Sequence, residues 1–414
     1  MRRTPVGAVT SMALAFAAIA SASCGGGGDA TATTGGTKGT TTGVFTAAAN
    51  PINVSVSTDA GHAGSKIIGP EGGTVTATGA DGSKYTLVIP AQAIADSTTI
   101  TLTPITSLTG APLTNGLVAG VQMSPEGLVF EQDATLTIVP AKSVAVSNQT
   151  FLSYSGTGSD LHLAIPASLD ASIQIVVQHF SGAALGDGTA ADRASIGQRN
   201  STSLEDRLDQ IIAEYLTPAR QAALAGTGDG VTDLPGLQAA LDDYYQLVVK
   251  ARVNAAGSSC ANAVLALQTV LRYNGKREVL GIGLHPNYDQ DIATVLDAAA
   301  SMCSFKAGPA TVGQFTMSGV ICRLDKNFNL TMATPYGNLV QKFIAASRTS
   351  GTESYSGTLN ETDVNGIGTY KVSGLDRIGT TLDVSDVQCI NYGVGSQCGG
   401  ANVSIPLKRQ DHGC

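Results

Sequence analysis

The residues of this 414-residue chain that could do chemistry are few and scattered. Six of its seven cysteines lie in the second half: Cys260, Cys303, Cys322, Cys389, Cys398 and Cys414. An even set without a Cys-x-x-Cys pair points to disulfides rather than to a zinc knuckle or a thioredoxin-type dithiol. Buried free thiols are the other reading. Disulfides persist in oxidising compartments, so this set points outside the cytoplasm. The five histidines, His62, His162, His179, His285 and His412, show no metal-ligand spacing and read as surface or hydrogen-bonded imidazoles. Asp229 and Asp233 flank a Gly-rich stretch without the later acidic ligands of a calcium loop, which makes it a solvated connection. Glu205, Asp206 and Asp209 gather at the start of one helical stretch, where carboxylates complement the helix dipole; a catalytic carboxylate pair is the competing reading. Tyr244, Tyr245 and Tyr288 read as helix core or rim rather than as a ligand groove. The chain has no nucleophile elbow, P-loop, His-Glu-x-x-His or dinucleotide fingerprint, so no metal, no cofactor and no multi-turnover enzyme is implied.

The elements that hold these residues follow from periodicity. Residues 61–182 alternate in the manner of short strands. Asp81-Gly82 between Thr74-Val75-Thr76 and Tyr85–Ile89 is a hairpin signal, Ser124-Pro125-Glu126-Gly127 has type I turn chemistry, and Ser172–Phe180 reads as a last strand. Such a series predicts an antiparallel sandwich. Residues 183–201 are small and polar, and read as a linker. From 202 to 305 the period becomes helical: Leu204, Leu208, Ile211 and Tyr215, then Leu237, Leu241 and Tyr245, then Val264, Leu267 and Val270, then Ile292, Val295 and Ala299. This predicts four helices. Residues 311–414 alternate again, most cleanly over Phe328–Met332, and predict an antiparallel meander or barrel of about seven strands. The expected fold is therefore a multidomain α+β chain. Cys260 begins the third helix and Cys303 ends the fourth, so antiparallel packing joins them. Cys389 and Cys398 bracket a hairpin loop, and Cys322 with Cys414 follows by elimination.

The N-terminus carries Arg2 and Arg3, an apolar stretch from Met12 to Ala22 too short to span a bilayer, then Ala22-Ser23-Cys24 and four glycines. This resembles a bacterial lipoprotein signal of residues 1–23, in which Cys24 is acylated and becomes the mature N-terminus. Gly25 after the Cys implies outer-membrane sorting, facing the periplasm or the cell surface. Plain secretory cleavage nearby is the alternative. Residues 24–60 hold mainly Gly, Thr and Ala, and read as a flexible tether.

Gly72-Gly73-Thr74-Val75, Ile89-Pro90-Ala91-Gln92-Ala93-Ile94, Ser124-Pro125-Glu126-Gly127-Leu128-Val129-Phe130, Thr135-Leu136 and His179-Phe180-Ser181 occur in one order. Together they resemble the ZU-five module of zonula-occludens proteins, Unc-type netrin receptors and ankyrins, with Gln92 where the family usually has Gly and Asp133 where it often has Pro. The resemblance spans residues 67–181. It implies a protein-interaction platform without a cofactor. It also implies a second chemistry, because some members cut themselves before the Ser of a His-Phe-Ser sequence. Here His179 would act as base and the Ser181 hydroxyl would attack the Phe180 carbonyl. Residues two apart on a strand share a face at roughly 6–7 Å, so the pair needs a local bend to meet. Gly182-Ala183-Ala184 in place of a bulkier sequence, and helices in place of the companion domain, count against cleavage.

The composition, 43% hydrophobic and 14% charged with net charge −8, allows several cores and lacks the basic clusters that nucleic acid requires. The expected function is that of a lipid-anchored extracytoplasmic binding protein. It would be held to the membrane through Cys24 and would recognise another extracytoplasmic protein. Self-cleavage at Phe180–Ser181 is one alternative, and a small-ligand or lipid carrier using the C-terminal β domain is the other.

Overall fold

A computed structural model describes Phe45 and residues 49–227, 234–359, 362–374, 381–391 and 396–414. The expected signal, Cys24 and the Asp229–Asp233 loop lie outside the described residues.

Eleven strands form the N-terminal part among the described residues: β1 (Ser55–Thr58), β2 (Gly64–Ile68), β3 (Gly73–Thr78), β4 (Lys84–Ile89), β5 (Thr98–Thr109), β6 (Leu117–Ser124), β7 (Val129–Val139), β8 (Gln149–Ser155), β9 (Ser159–Leu163), β10 (Gln174–His179) and β11 (Gly182–Asp187). A seven-stranded sheet runs β1-β5-β6-β11-β8-β9, with β2 also on β5, and a four-stranded sheet runs β10-β7-β4-β3. Their inward residues share one core, with Val75, Leu87, Leu136 and Ile175 from the smaller sheet and Ile100, Val121, Phe151 and Leu185 from the larger. Alternation drives this arrangement. In β4 the buried Tyr85, Leu87 and Ile89 take turns with Lys84, Thr86 and Val88.

Five helices follow among the described residues. They are α1 (Ala190–Gly197), α2 (Leu204–Ala225), α3 (Leu234–Tyr244), which continues through a π turn at Tyr245–Val249 into Lys250–Ala255, α4 (Cys260–Val279) and α5 (Tyr288–Met302). Ser203 caps α2 by accepting from the amides of Glu205 and Asp206. Gly226, at φ +68, ends it in the left-handed conformation that only glycine adopts without cost. The helices share a core of Leu208, Ile212, Leu241, Tyr244, Leu267 and Val270.

Eight antiparallel strands then close a barrel: β12 (Ser304–Val312), β13 (Phe315–Ile321), β14 (Phe328–Thr334), β15 (Gly337–Ser347), β16 (Ser350–Leu359), β17 (Thr362–Ser373), β18 (Thr381–Asn391) and β19 (Ser396–Gln410). Ser304 pairs with Gln410 where the last strand meets the first. The lumen is packed. Phe328 stacks on Phe343 at 4.6 Å, and Tyr370 meets both edge-on at 5.7 and 5.3 Å.

The structure departs from the sequence reading at the boundaries. The supposed linker 183–201 holds β11, which lies inside the larger sheet, and α1, which opens on a Thr189–Asp192 capping box. The supposed tether 24–60 already contains β1, and Ile52 bridges to Leu161. The barrel begins at Ser304 rather than 311 and has eight strands rather than about seven. Cys260 and Cys303 are bonded, with Cα atoms 4.7 Å apart, and Cys322 and Cys414 are bonded, with Cα atoms 5.3 Å apart. Cys389 and Cys398 face each other in the β18–β19 register, but their side chains lie outside the described residues.

Candidate functional site

The chain changes sheets at Phe180–Ser181. β10 belongs to the smaller sheet and ends at His179, whereas β11 belongs to the larger and starts at Gly182. A strand that crosses between packed sheets must bend, and this bend brings together two side chains that an extended strand would keep apart. The Ser181 hydroxyl stands 3.3 Å from His179 Nδ1. The corner is held on every side. The Phe180 amide donates to the Leu128 carbonyl at 2.7 Å, the Met123 amide donates to the Ser181 carbonyl at 2.8 Å, and the buried Phe180 ring meets Phe130 edge-on at 5.0 Å. The Phe180 carbonyl accepts from the Gly127 amide at 3.1 Å. That donor comes from the turn Ser124-Pro125-Glu126-Gly127, where Gly127 sits at φ +76 and the Ser124–Pro125 bond is cis.

His179 has a second partner that its local sequence does not reveal. Its Nε2 lies 3.2 Å from Asp206 Oδ1, in the first turn of α2. The buried His162, on β9, reaches the same oxygen at 3.8 Å, while its Nδ1 lies 2.8 Å from the Asp160 carbonyl. Asp160 in turn fastens the start of α2, accepting from Ser201 Oγ at 2.9 Å and the Thr202 amide at 2.8 Å. A carboxylate at Nε2 favours the tautomer that carries its proton there and presents Nδ1 to the Ser181 hydroxyl as an acceptor.

Burial by itself would raise the Asp206 carboxyl and lower the His179 imidazole. The two histidines outweigh it and hold Asp206 well below the usual carboxylate range. The hydrogen bond and charge of Asp206, with Glu205 and Asp209 nearby, hold His179 above its ordinary value. Around this pair lies a wider buried network. Arg272 on α4 grips Glu205 with two bonds, at 2.7 and 3.1 Å. Lys276, one turn on, donates to Asp209 and to Gln178 of β10. Arg272 and Lys276 outweigh the burial of Glu205 and pull its carboxyl down to about 2.

The carboxylates Glu205, Asp206 and Asp209 thus do more than complement a helix dipole, because they are ion-paired against the sheets. Of the expected residues, the bend unites His179 and Ser181, and the fold unites Cys260 with Cys303 and Cys322 with Cys414. Among the described residues no group of His, Cys, Asp and Glu stands in an arrangement that could hold a metal ion. No protein-family model, curated protein or solved structure matches this chain.

Asp133 is a poorly compensated charge beside this network. Its Oδ1 is sealed from solvent without a hydrogen-bond partner. Burial pushes its carboxyl up to about 6, despite Lys276 and Arg272 nearby. A carboxyl whose folded value exceeds its unfolded value costs stability once pH rises above the unfolded value, and the cost is complete above the folded one. Asp133→Asn is therefore expected to raise stability at pH 7.5, on the order of 1–2 kcal/mol. The gain should fade as pH drops from 6 to 4 and be absent below that. Urea titrations of both proteins across this range measure it, and a stability loss at pH 7.5 would contradict the assignment.

Proposed function

We propose that this is a lipid-anchored extracytoplasmic binding protein built on a ZU-five-like sandwich. One observation carries the reading: the residues that bear the family resemblance occupy the corners of the two-sheet unit. Gly72 has φ +73 at the turn into β3, and Gln92, where the family usually has Gly, has φ +67, a conformation few side chains tolerate. The Ser124–Gly127 turn and the His179-Phe180-Ser181 crossing mark two more corners. A partner-binding role draws support from the barrel exterior. Val340, Ile344 and Ile367 are 48%, 55% and 71% exposed on the outward face of β15 and β17. Ile367 lies opposite Ser354, which lies opposite Lys342, midway between Val340 and Ile344. Inside the barrel Phe328, Phe343 and Tyr370 pack against one another and against aliphatic residues of the other strands. Comparing wild type with Cys24→Ala tests the anchored reading. Wild type is expected in the membrane fraction, together with cross-linked partner protein from intact cells. The variant is expected in the soluble fraction, and its retention in membranes would refute lipid anchoring.

A second reading, self-cleavage at Phe180–Ser181, is favoured by the Gly127 amide on the Phe180 carbonyl together with the 3.3 Å approach of Ser181 to His179. The Ser181 Oγ attacks the Phe180 carbonyl carbon as its proton passes to His179 Nδ1. The negative charge that develops on the carbonyl oxygen meets the Gly127 N–H. The C–N bond breaks, His179 returns the proton to the leaving amine, and an ester joins Phe180 to Ser181 Oγ. Water hydrolyses that ester, leaving a Phe180 carboxylate and a free Ser181 amine. Intact mass under denaturing conditions measures the outcome. Wild type should give pieces ending at Phe180 and beginning at Ser181, and Ser181→Ala should give a single full-length chain. A single full-length wild-type species, unchanged by hydroxylamine, would leave His179-Phe180-Ser181 as a structural corner.

A further inference from the structure

Asp206 lies outside the two-sheet unit and outside the His-Phe-Ser sequence, yet it meets the only nitrogen of His179 that Ser181 does not. We propose that Asp206 is the positioning residue of the Phe180–Ser181 site, supplied by α2 to set the tautomer and orientation of His179; this rests on the self-cleavage reading. Three observations carry it. Asp206 Oδ1 is 3.2 Å from His179 Nε2, while Ser181 Oγ is 3.3 Å from Nδ1, so the imidazole is held from both ends. Asp206 itself has little freedom. It is 3% exposed, its amide donates to the Ser203 side chain, and His162 approaches the same Oδ1 from β9 at 3.8 Å. The turn that carries it is tied to the larger sheet through Asp160, which binds Ser201 and Thr202. A buried carboxylate on Nε2 keeps the proton there, leaves Nδ1 free to accept the hydroxyl proton, and stabilises the imidazolium that forms when it does.

Two consequences follow. The base is assembled only when α2 is packed on the sheets, so the helical layer gates the reaction. His162 buttresses Asp206 and takes no proton from Ser181.

Asp206→Asn and Asp206→Glu, each in the full chain, separate positioning from mere packing. An amide at this place can donate to Nε2, which moves the imidazole proton to Nδ1 and removes the acceptor facing Ser181. Chains made by cell-free synthesis are transferred to buffers from pH 5 to 9, and the full-length fraction is followed by intact mass. Wild-type cleavage should accelerate as pH rises through the His179 titration. Asp206→Asn should be at least tenfold slower, with a lower pH midpoint and no rescue by hydroxylamine, because the ester it intercepts does not form. Asp206→Glu keeps the carboxylate and should retain the wild-type midpoint even where the rate falls. Wild-type cleavage with both variants sharing its midpoint would overturn the role of Asp206 and leave the cleavage reading intact. No wild-type cleavage at any pH would overturn the cleavage reading itself, and this inference with it.

Discussion

Charge buried between the sheets and the helices is the constraint on which this architecture depends. Moving an ion from water into a protein interior costs several kcal/mol unless partners are waiting. Here the partners are matched in space. Glu205 and Asp209 lie four apart on α2, and Arg272 and Lys276 lie four apart on α4, so each pair shares one helix face. Glu205 meets Arg272 and Asp209 meets Lys276, which leaves Asp206, between the two acids, to face the histidines of the sheets. Lys276 also reaches Gln178 on β10, and Arg272 donates to the Phe130 carbonyl on β7 at 3.4 Å. Sliding either helix by a turn would strand several charges at once. The network therefore sets the position of the helical layer more sharply than apolar packing, which tolerates substitution of similar volume.

The same constraint shapes the corner at Phe180–Ser181. The sheets supply the bend, the Gly127 amide and the two histidines. The helices supply the carboxylate that couples those histidines to the rest of the network. There a peptide carbonyl that accepts a fixed amide is followed by a hydroxyl facing a carboxylate-backed imidazole, the groups that the proposed self-cleavage would use. The barrel stands outside this arrangement. It has a core of its own, and Cys414, beyond β19, is bonded to Cys322 just beyond β13. Arg409 of β19 forms an ion pair with Glu131 of β7 in the smaller sheet.

Much of the architecture was legible where one face of an element is buried and the other wet. Phe328, Leu330 and Met332 alternate with exposed Asn329 and Thr331, and β14 stands where that pattern put it. The helical stripes of Leu208 and Ile212 and of Leu267 and Val270 likewise fall on α2 and α4. The misses have physical reasons. β11 reads Gly-Ala-Ala-Leu-Gly-Asp, and its first five residues are buried. A strand covered on both faces has no polar alternation, and small residues there look like a linker. α1 is only eight residues long, and its Thr189–Asp192 capping box lies in a stretch whose small, polar residues read as a linker. The role of Asp206 left no local trace, because its partners His162 and His179 are distant in sequence and converge through topology alone. Arg272 and Glu205 are 67 residues apart, so the acids of α2 read as charges that complement a helix dipole. Ser181 and His179 were legible as a pair, but the Gly127 donor was not, since it reaches the Phe180 carbonyl only where β10 crosses to the other sheet.

A double-mutant cycle on Glu205 and Arg272 tests the controlling role of the buried network most directly. Unfolding free energies of wild type, Glu205→Gln, Arg272→Met and the double variant give the coupling between the two side chains. Each single variant leaves one buried charge without its partner and should lose about 3–5 kcal/mol. The double variant should recover part of that loss, with a coupling of about 2–3 kcal/mol. Additive losses, with coupling below about 0.5 kcal/mol, would contradict the account, because the helices would then be held to the sheets by something other than this pair.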